Sequence, residues 1–102
     1  MKIVLHVSNE EQINRMINNV NNLYKEDESL IINVVINGDA VTKFIEGSNL
    51  NLNNKATHFL CENSLRANKI AKENIMPETK ITSSGVYKLA LLQNEGFYYI
   101  KV

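Results

Sequence analysis

The chain carries a single cysteine, Cys61, and two histidines, His6 and His58. Cys61 closes the strand-like run Ala56-Thr57-His58-Phe59-Leu60, and a helix-like segment opens just after it at Asn63-Ser64. A thiol at such a junction meets unpaired backbone N–H groups and the positive end of the helix dipole, which favour thiolate and nucleophilic sulfur chemistry. The bland alternative is a small buried hydrophobe, and Glu62 beside the sulfur opposes ionisation. Arg66 lies one helical turn beyond Glu62, where it either pairs with that acid or faces an anion. His6, near the end of the first strand, is placed to orient a ligand or exchange a proton with the thiol if the two strand ends converge; otherwise it is structural. His58 precedes Cys61 by three residues, so strand alternation sends the two to opposite faces and leaves His58 outside the site. Asn37-Gly38 and Ser84-Gly85 offer backbone donors to an anion or simply make turns, with no GxGxxG or P-loop spacing. There is no metal-ligand spacing and no Ser/His/Asp elbow, so neither a metal nor a cofactor is expected.

These residues need elements to hold them. Ile3 to Val7 is a short apolar run rich in branched residues, the pattern of a strand covered on both faces. Ser8 or Asn9 then caps a helix carrying Ile13, Met16, Ile17, Val20, Leu23 and Tyr24 at spacings of three and four, to about Lys25. Leu30 to Ile36 is the strongest strand, stopped by Asn37-Gly38-Asp39. Ala40, Val41, Phe44 and Ile45 continue with helical spacing, which favours strand-turn-helix over a hairpin. Residues 46–55 read as an irregular and mobile connection. The third strand covers 56–61, a helix follows over 63–71, and Pro77 keeps the next stretch non-helical. Lys80 to Ser83 is a weaker fourth strand, a last helix runs from Gly85 and Val86 through Leu92 to Gly96, and 97–102 closes as a fifth strand. On that last strand alternation buries one of Tyr98 and Tyr99 and turns the other outward. Five strands alternating with four helical segments predict an α/β three-layer sandwich: an open, mainly parallel five-stranded sheet with helices on both faces. In such sheets ligands bind outside the carboxyl ends of the strands, so the turns at His6, Asn37-Gly38, Cys61 to Ser64 and Ser84-Gly85 should share one crevice.

Composition narrows the classes further. The 102 residues suit one domain, and 44% hydrophobic with 22% charged residues is ordinary for a globular chain. Eleven basic residues balance eleven acidic ones, so no basic field exists to hold nucleic acid or an anionic membrane. One cysteine excludes an internal disulfide, and the apolar start is too short for a signal peptide; a cytoplasmic location is the expectation.

The junction Cys61-Glu62-Asn63-Ser64-Leu65-Arg66-Ala67 also resembles the small single-domain branch of the DsrE/DsrF-like family. So do the opening Lys2 to Val7, the turn Asn37-Gly38 before Ala40-Val41, Ser84-Gly85-Val86 with Leu89, and the ending Glu95 to Lys101. The resemblance runs nearly end to end, and Cys-x-Asn-Ser-Leu is its most specific part. It implies a three-layer α/β sandwich assembling into trimers or hexamers, in a family whose better-understood members carry sulfur between proteins as a cysteine persulfide. Cys61 would be the persulfide carrier, with a sulfur donor or acceptor protein as partner. Two functions from other classes compete: a module binding a small anion or nucleotide through Asn37, Gly38, Asn63, Ser84 and Gly85, and an oligomeric scaffold with an inert Cys61.

Overall fold

The five apolar runs form five strands in a computed structural model that describes all 102 residues: β1 (Lys2–Val7), β2 (Ile31–Ile36), β3 (Thr57–Cys61), β4 (Lys80–Thr82) and β5 (Tyr98–Lys101). They make one sheet in the order β4-β3-β2-β1-β5, and every neighbouring pair is parallel. The helices are α1 (Ile13–Glu26), α2 (Glu62–Ala67) and α3 (Gly85–Asn94). From β1 to β4 each connection steps the same way across the sheet, so right-handed crossovers lay them all on one face. The connection from β4 to β5 returns across the whole sheet, which sets α3 on the other.

Burial follows that division. On the first face Ile3, Leu5, Val7, Ile32, Val34, Ile36 and Leu60 pack with Ile13, Met16, Val20 and Tyr24, the apolar stripe of α1. Each of those side chains contributes roughly 2 kcal/mol on burial, so packing holds this 14-residue helix more than propensity does. On the second face Val4 and Val35 pack with Leu89, Leu92 and Phe97 beneath α3. Asn9 provides the entry cap, its Oδ1 accepting from the Glu11 N–H at 2.8 Å, and a 3-10 turn over Glu10–Gln12 leads into α1.

Three local expectations are corrected. Residues 40–45 do not form an α-helix: a 3-10 helix over Gly38–Lys43 buries Ala40 and Val41, and Phe44 follows it into the core. The helix after Cys61 ends at Ala67, not residue 71, because Asn68 turns back on it. Both the backbone N–H of Asn68 and its Nδ2 donate to the Ser64 carbonyl, at 3.0 and 2.8 Å, and Lys69 takes a φ of 59°. Tyr98 and Tyr99 do project to opposite faces, yet both are exposed, since β5 is an edge strand with no buried residue. Residues 46–55 are irregular as expected, with Leu50 and Leu52 packed against the core and Asn53 donating to Asn21 at 3.0 Å.

Candidate functional site

The strand β3 ends at the one place in the sheet where adjacent connections leave in opposite directions: the chain after β3 enters α2 on one face, and the chain after β4 enters α3 on the other. That is the topological switch point at which open α/β sheets form their crevice. Cys61 occupies it. Its parity along β3 is that of Phe59, which puts the sulfur on the α3 face.

One backbone donor reaches the thiol directly. The Gly85 N–H, first in α3, donates to Cys61 Sγ at 3.3 Å. Burial is the largest single influence on the thiol and works against ionisation; the Ser64 hydroxyl, then the N–H groups of Gly85, Ser64 and Asn63, act the other way and leave its pKa below the ordinary value. Ser64 is itself held, because its Oγ accepts the Gly38 N–H at 2.8 Å and so keeps its own proton free for the sulfur. Gly85 must be small here: a Cβ on it would lie 3.2 Å from Cys61 Cβ and 3.3 Å from Asn37 Cβ. Only 5% of Cys61 is exposed, and none of the three surface hollows is lined by it.

Glu62 does not oppose the thiolate closely. Its Oε2 pairs with Arg66 Nη1 at 3.1 Å and Lys72 Nζ at 3.2 Å, which turns the carboxylate charge toward two cations. Arg66 therefore sits in a surface ion pair, and its other nitrogen donates to the Asn63 side-chain oxygen. The Asn63 side chain is thus engaged by Arg66. Ser84 is engaged locally as well, its hydroxyl accepting the Tyr87 N–H at 3.2 Å as the N-cap of α3.

The structure thus brings together Cys61, Ser64 and Gly85, with Asn37 and Gly38 adjoining them from the end of β2. His6 reaches the group through Asn37, its Nε2 lying 2.9 Å from Asn37 Oδ1. Burial, the first influence, and the Lys101 charge lower the His6 pKa against the opposing Asn37 bond. His58 lies on the other face, buried to 3% exposure. Sequence reading had no place for Tyr99 in this group, although its hydroxyl lies 2.7 Å from His6 Nδ1; β5 returns beside β1, and residues 93 apart in the chain meet there. The only signal available was a tyrosine on a last strand of unknown neighbour. No three His, Cys, Asp or Glu side chains converge to hold a metal.

No family model and no curated protein sequence matches the chain. Among solved structures it is similar to ychN protein from E. coli, at 13% identity, a TM-score of 0.77 and complete coverage of both chains, a likeness of fold. It is also similar to MTH1491 from Methanobacterium thermoautotrophicum, described as a protein of unknown function, at 26% identity and a TM-score of 0.88 over 99% of this chain and 98% of that one.

Proposed function

We propose that the protein handles sulfane sulfur, holding it as a persulfide on Cys61 and passing it to a partner thiol. The observation that carries this reading is the seat of the sulfur at the end of β3, where the first N–H of α3, that of Gly85, donates to Cys61 Sγ at 3.3 Å and the polar groups of Ser64, Gly85 and Asn63 lower the thiol pKa against burial. A thiolate so held is the species that attacks sulfane sulfur. In the loading step Cys61 Sγ⁻ attacks the sulfane sulfur of a donor R–S–S⁻, the S–S bond breaks, R–S⁻ leaves, and the cysteine becomes Cys–S–S⁻. Transfer is the reverse exchange onto an acceptor thiolate; charge balances and no separate oxidant is consumed. The three-layer parallel sandwich agrees with what the DsrE/DsrF-like resemblance implies. The slight exposure of the sulfur favours a small donor for loading.

Incubation of the purified chain with inorganic polysulfide should add about 32 Da for each sulfur atom carried on the single thiol available, read by intact mass spectrometry. The Cys61→Ser chain should gain nothing. Alkylation rate against pH should give a thiol pKa below the roughly 8.5 of free cysteine. A value at or above it, together with no added sulfur, would reject the reading and shift weight to a module that binds a small anion through the same donors.

The chain is further proposed to act as a cytoplasmic homo-oligomer, a trimer or hexamer. Val86 and Tyr87 on α3 and Tyr98, Tyr99 and Ile100 on β5 are large apolar side chains left between 40% and 70% exposed, and zero formal charge gives little self-repulsion. Light scattering at micromolar concentration should return a mass above that of one chain; a monomer would reject assembly.

A further inference from the structure

The strand β5 ends the sheet with no strand beyond it, and every one of its residues is exposed. Main-chain groups alternate in direction along a strand. The Val102 N–H donates to the His6 carbonyl at 2.9 Å, so the N–H and C=O groups of Ile100 and Tyr98 face β1 as well. Those of Tyr99 and Lys101 face outward. Such an edge is a template for another strand, and natural sheets guard it, commonly with a lysine. Here the guard is turned away: Lys101 Nζ donates to Ser8 Oγ at 2.9 Å, and Tyr99 Oη lies 2.7 Å from His6 Nδ1, so both side chains lean back over β1. Tyr98 and Ile100 project from the other face, 65% and 40% exposed.

The two outward residues fix the register of a second, antiparallel copy. In an antiparallel pair, residues whose groups point at each other exchange both N–H···O bonds. Setting Tyr99 opposite the partner's Lys101, and Lys101 opposite the partner's Tyr99, satisfies every outward group. Ile100 then meets the partner's Ile100 on a two-fold axis, and Tyr98 meets the partner's Val102 on the same apolar face. Other registers fail. A slip of one residue sets outward groups against groups committed to β1. Placing Tyr99 opposite the partner's Tyr99 calls on the Phe97 N–H, which already donates to the Leu92 carbonyl at 3.0 Å. Placing Lys101 opposite the partner's Lys101 sets like charges together.

We propose that β5 is a self-pairing edge: two copies join antiparallel through Tyr99 and Lys101, with Ile100 facing its own copy across a two-fold axis, and the two sheets become one. The occupant is a second copy because the strand complements itself in the one register its own groups allow. The far edge of another copy fits less well, since β4 has only three residues and a contact of β5 with β4 would repeat without closing. Zero formal charge sets no field against the pairing. This contact rests on the homo-oligomer reading and narrows it, because a two-fold axis gives even assemblies, a hexamer rather than a trimer. It does not depend on the persulfide.

Residues opposed in a non-hydrogen-bonded antiparallel pair have Cα atoms about 4.5 Å apart, within disulfide reach. Ile100→Cys, combined with Cys61→Ser so that no other thiol is present, should therefore form a disulfide-linked dimer under mild oxidation, read on a non-reducing gel. Tyr98→Cys in the same background is the control. It lies on the same face and is more exposed, yet across the axis it stands four residues along the ladder from its own copy, roughly 13 Å away, and should stay unlinked. Ile100→Glu sets two carboxylates against each other and should halve the parent mass read by light scattering at micromolar concentration, with circular dichroism showing the parent fold. Should that variant unfold, the cysteine pair alone decides. Equal linking of the two cysteine variants, or linking of neither, overturns the pairing, as does a folded Ile100→Glu chain of parent mass. A mass that grows with concentration without limit would indicate repetition of β5 on β4 and also overturn it. If the parent stays assembled through such results, the homo-oligomer reading stands and only the β5 contact falls; a monomeric parent removes both.

Discussion

Gly38→Ala is expected to lower the stability of the chain by about 2–4 kcal/mol, the sum of a left-handed backbone forced on an L-residue and a contact with another stretch of main chain. Gly38 has a φ of 59°, and a Cβ there would lie 2.7 Å from the Ser8 carbonyl oxygen, nearer than such atoms approach. Relief by movement is blocked. The Gly38 N–H is bound to Ser64 Oγ at 2.8 Å, Asn68 Nδ2 reaches its carbonyl at 3.4 Å, and the neighbouring Asp39 accepts the Glu10 N–H at 2.9 Å. The loop after β1, the turn after β2 and the helix after β3 are thus joined at one residue.

For a domain of this size the loss corresponds to a fall of roughly 10–25 °C in Tm. Gly96→Ala is the control, since Gly96 also has a positive φ, 95°, but nothing lies within 4 Å of its Cβ position. Thermal unfolding of both should show Gly38→Ala as clearly the worse; equal losses would mean that the contact with Ser8 is relieved at no cost. Because Ser64 loses its anchor when the turn shifts, the same variant should alkylate at Cys61 more slowly at neutral pH.

The fold was legible because each strand and each major helix carries its own periodic signal. The run from Leu30 to Ile36 reads as a doubly covered strand whichever strands flank it, and α1 reads from Ile13, Met16, Val20 and Tyr24 alone. Strand order was not legible for the same reason: an apolar run covered on both faces does not say what lies beside it. The site divides along that line. That Cys61 meets the start of a helix follows from Leu60-Cys61-Glu62-Asn63. That a second helix supplies the Gly85 N–H depends on β4 lying beside β3, and that Tyr99 reaches His6 depends on β5 returning beside β1.

The local misreadings have physical causes as well. Ala40, Val41 and Phe44 are buried as expected, but inward spacings of one and three fit a 3-10 helix as well as an α-helix, and hydrophobic pattern alone does not separate them. Asn68 falls inside the helix expected over 63–71, although asparagine competes for backbone groups and suits helix ends. Arg66 and Glu62 at i and i+4 had two outcomes open; Lys72 joining the pair tips it toward the surface.

Acid should destabilise the protein through His58. Its imidazole sits mid-strand at 3% exposure, and burial, only partly offset by a backbone hydrogen bond at Ala56, pushes its pKa down to about 4. In the unfolded chain the same group titrates near 6.5, so between the two values the unfolded state binds more protons and stability rises with pH. The contribution is complete above about 6.5 and is lost progressively as the pH falls toward 4. A separation of this size is worth roughly 3 kcal/mol in full, of which about 2 kcal/mol is lost between pH 7 and pH 5. Neither of the two ion pairs involves His58, so no salt bridge stabilises its charged form. Urea unfolding of the parent chain and of His58→Leu at both pH values separates this group from the carboxylates, which titrate in both proteins. The parent should lose about 2 kcal/mol more than the variant over that interval. Equal losses would show that His58 keeps its charge when folded, which its place among Leu60, Ile36 and the rest of the core should not allow.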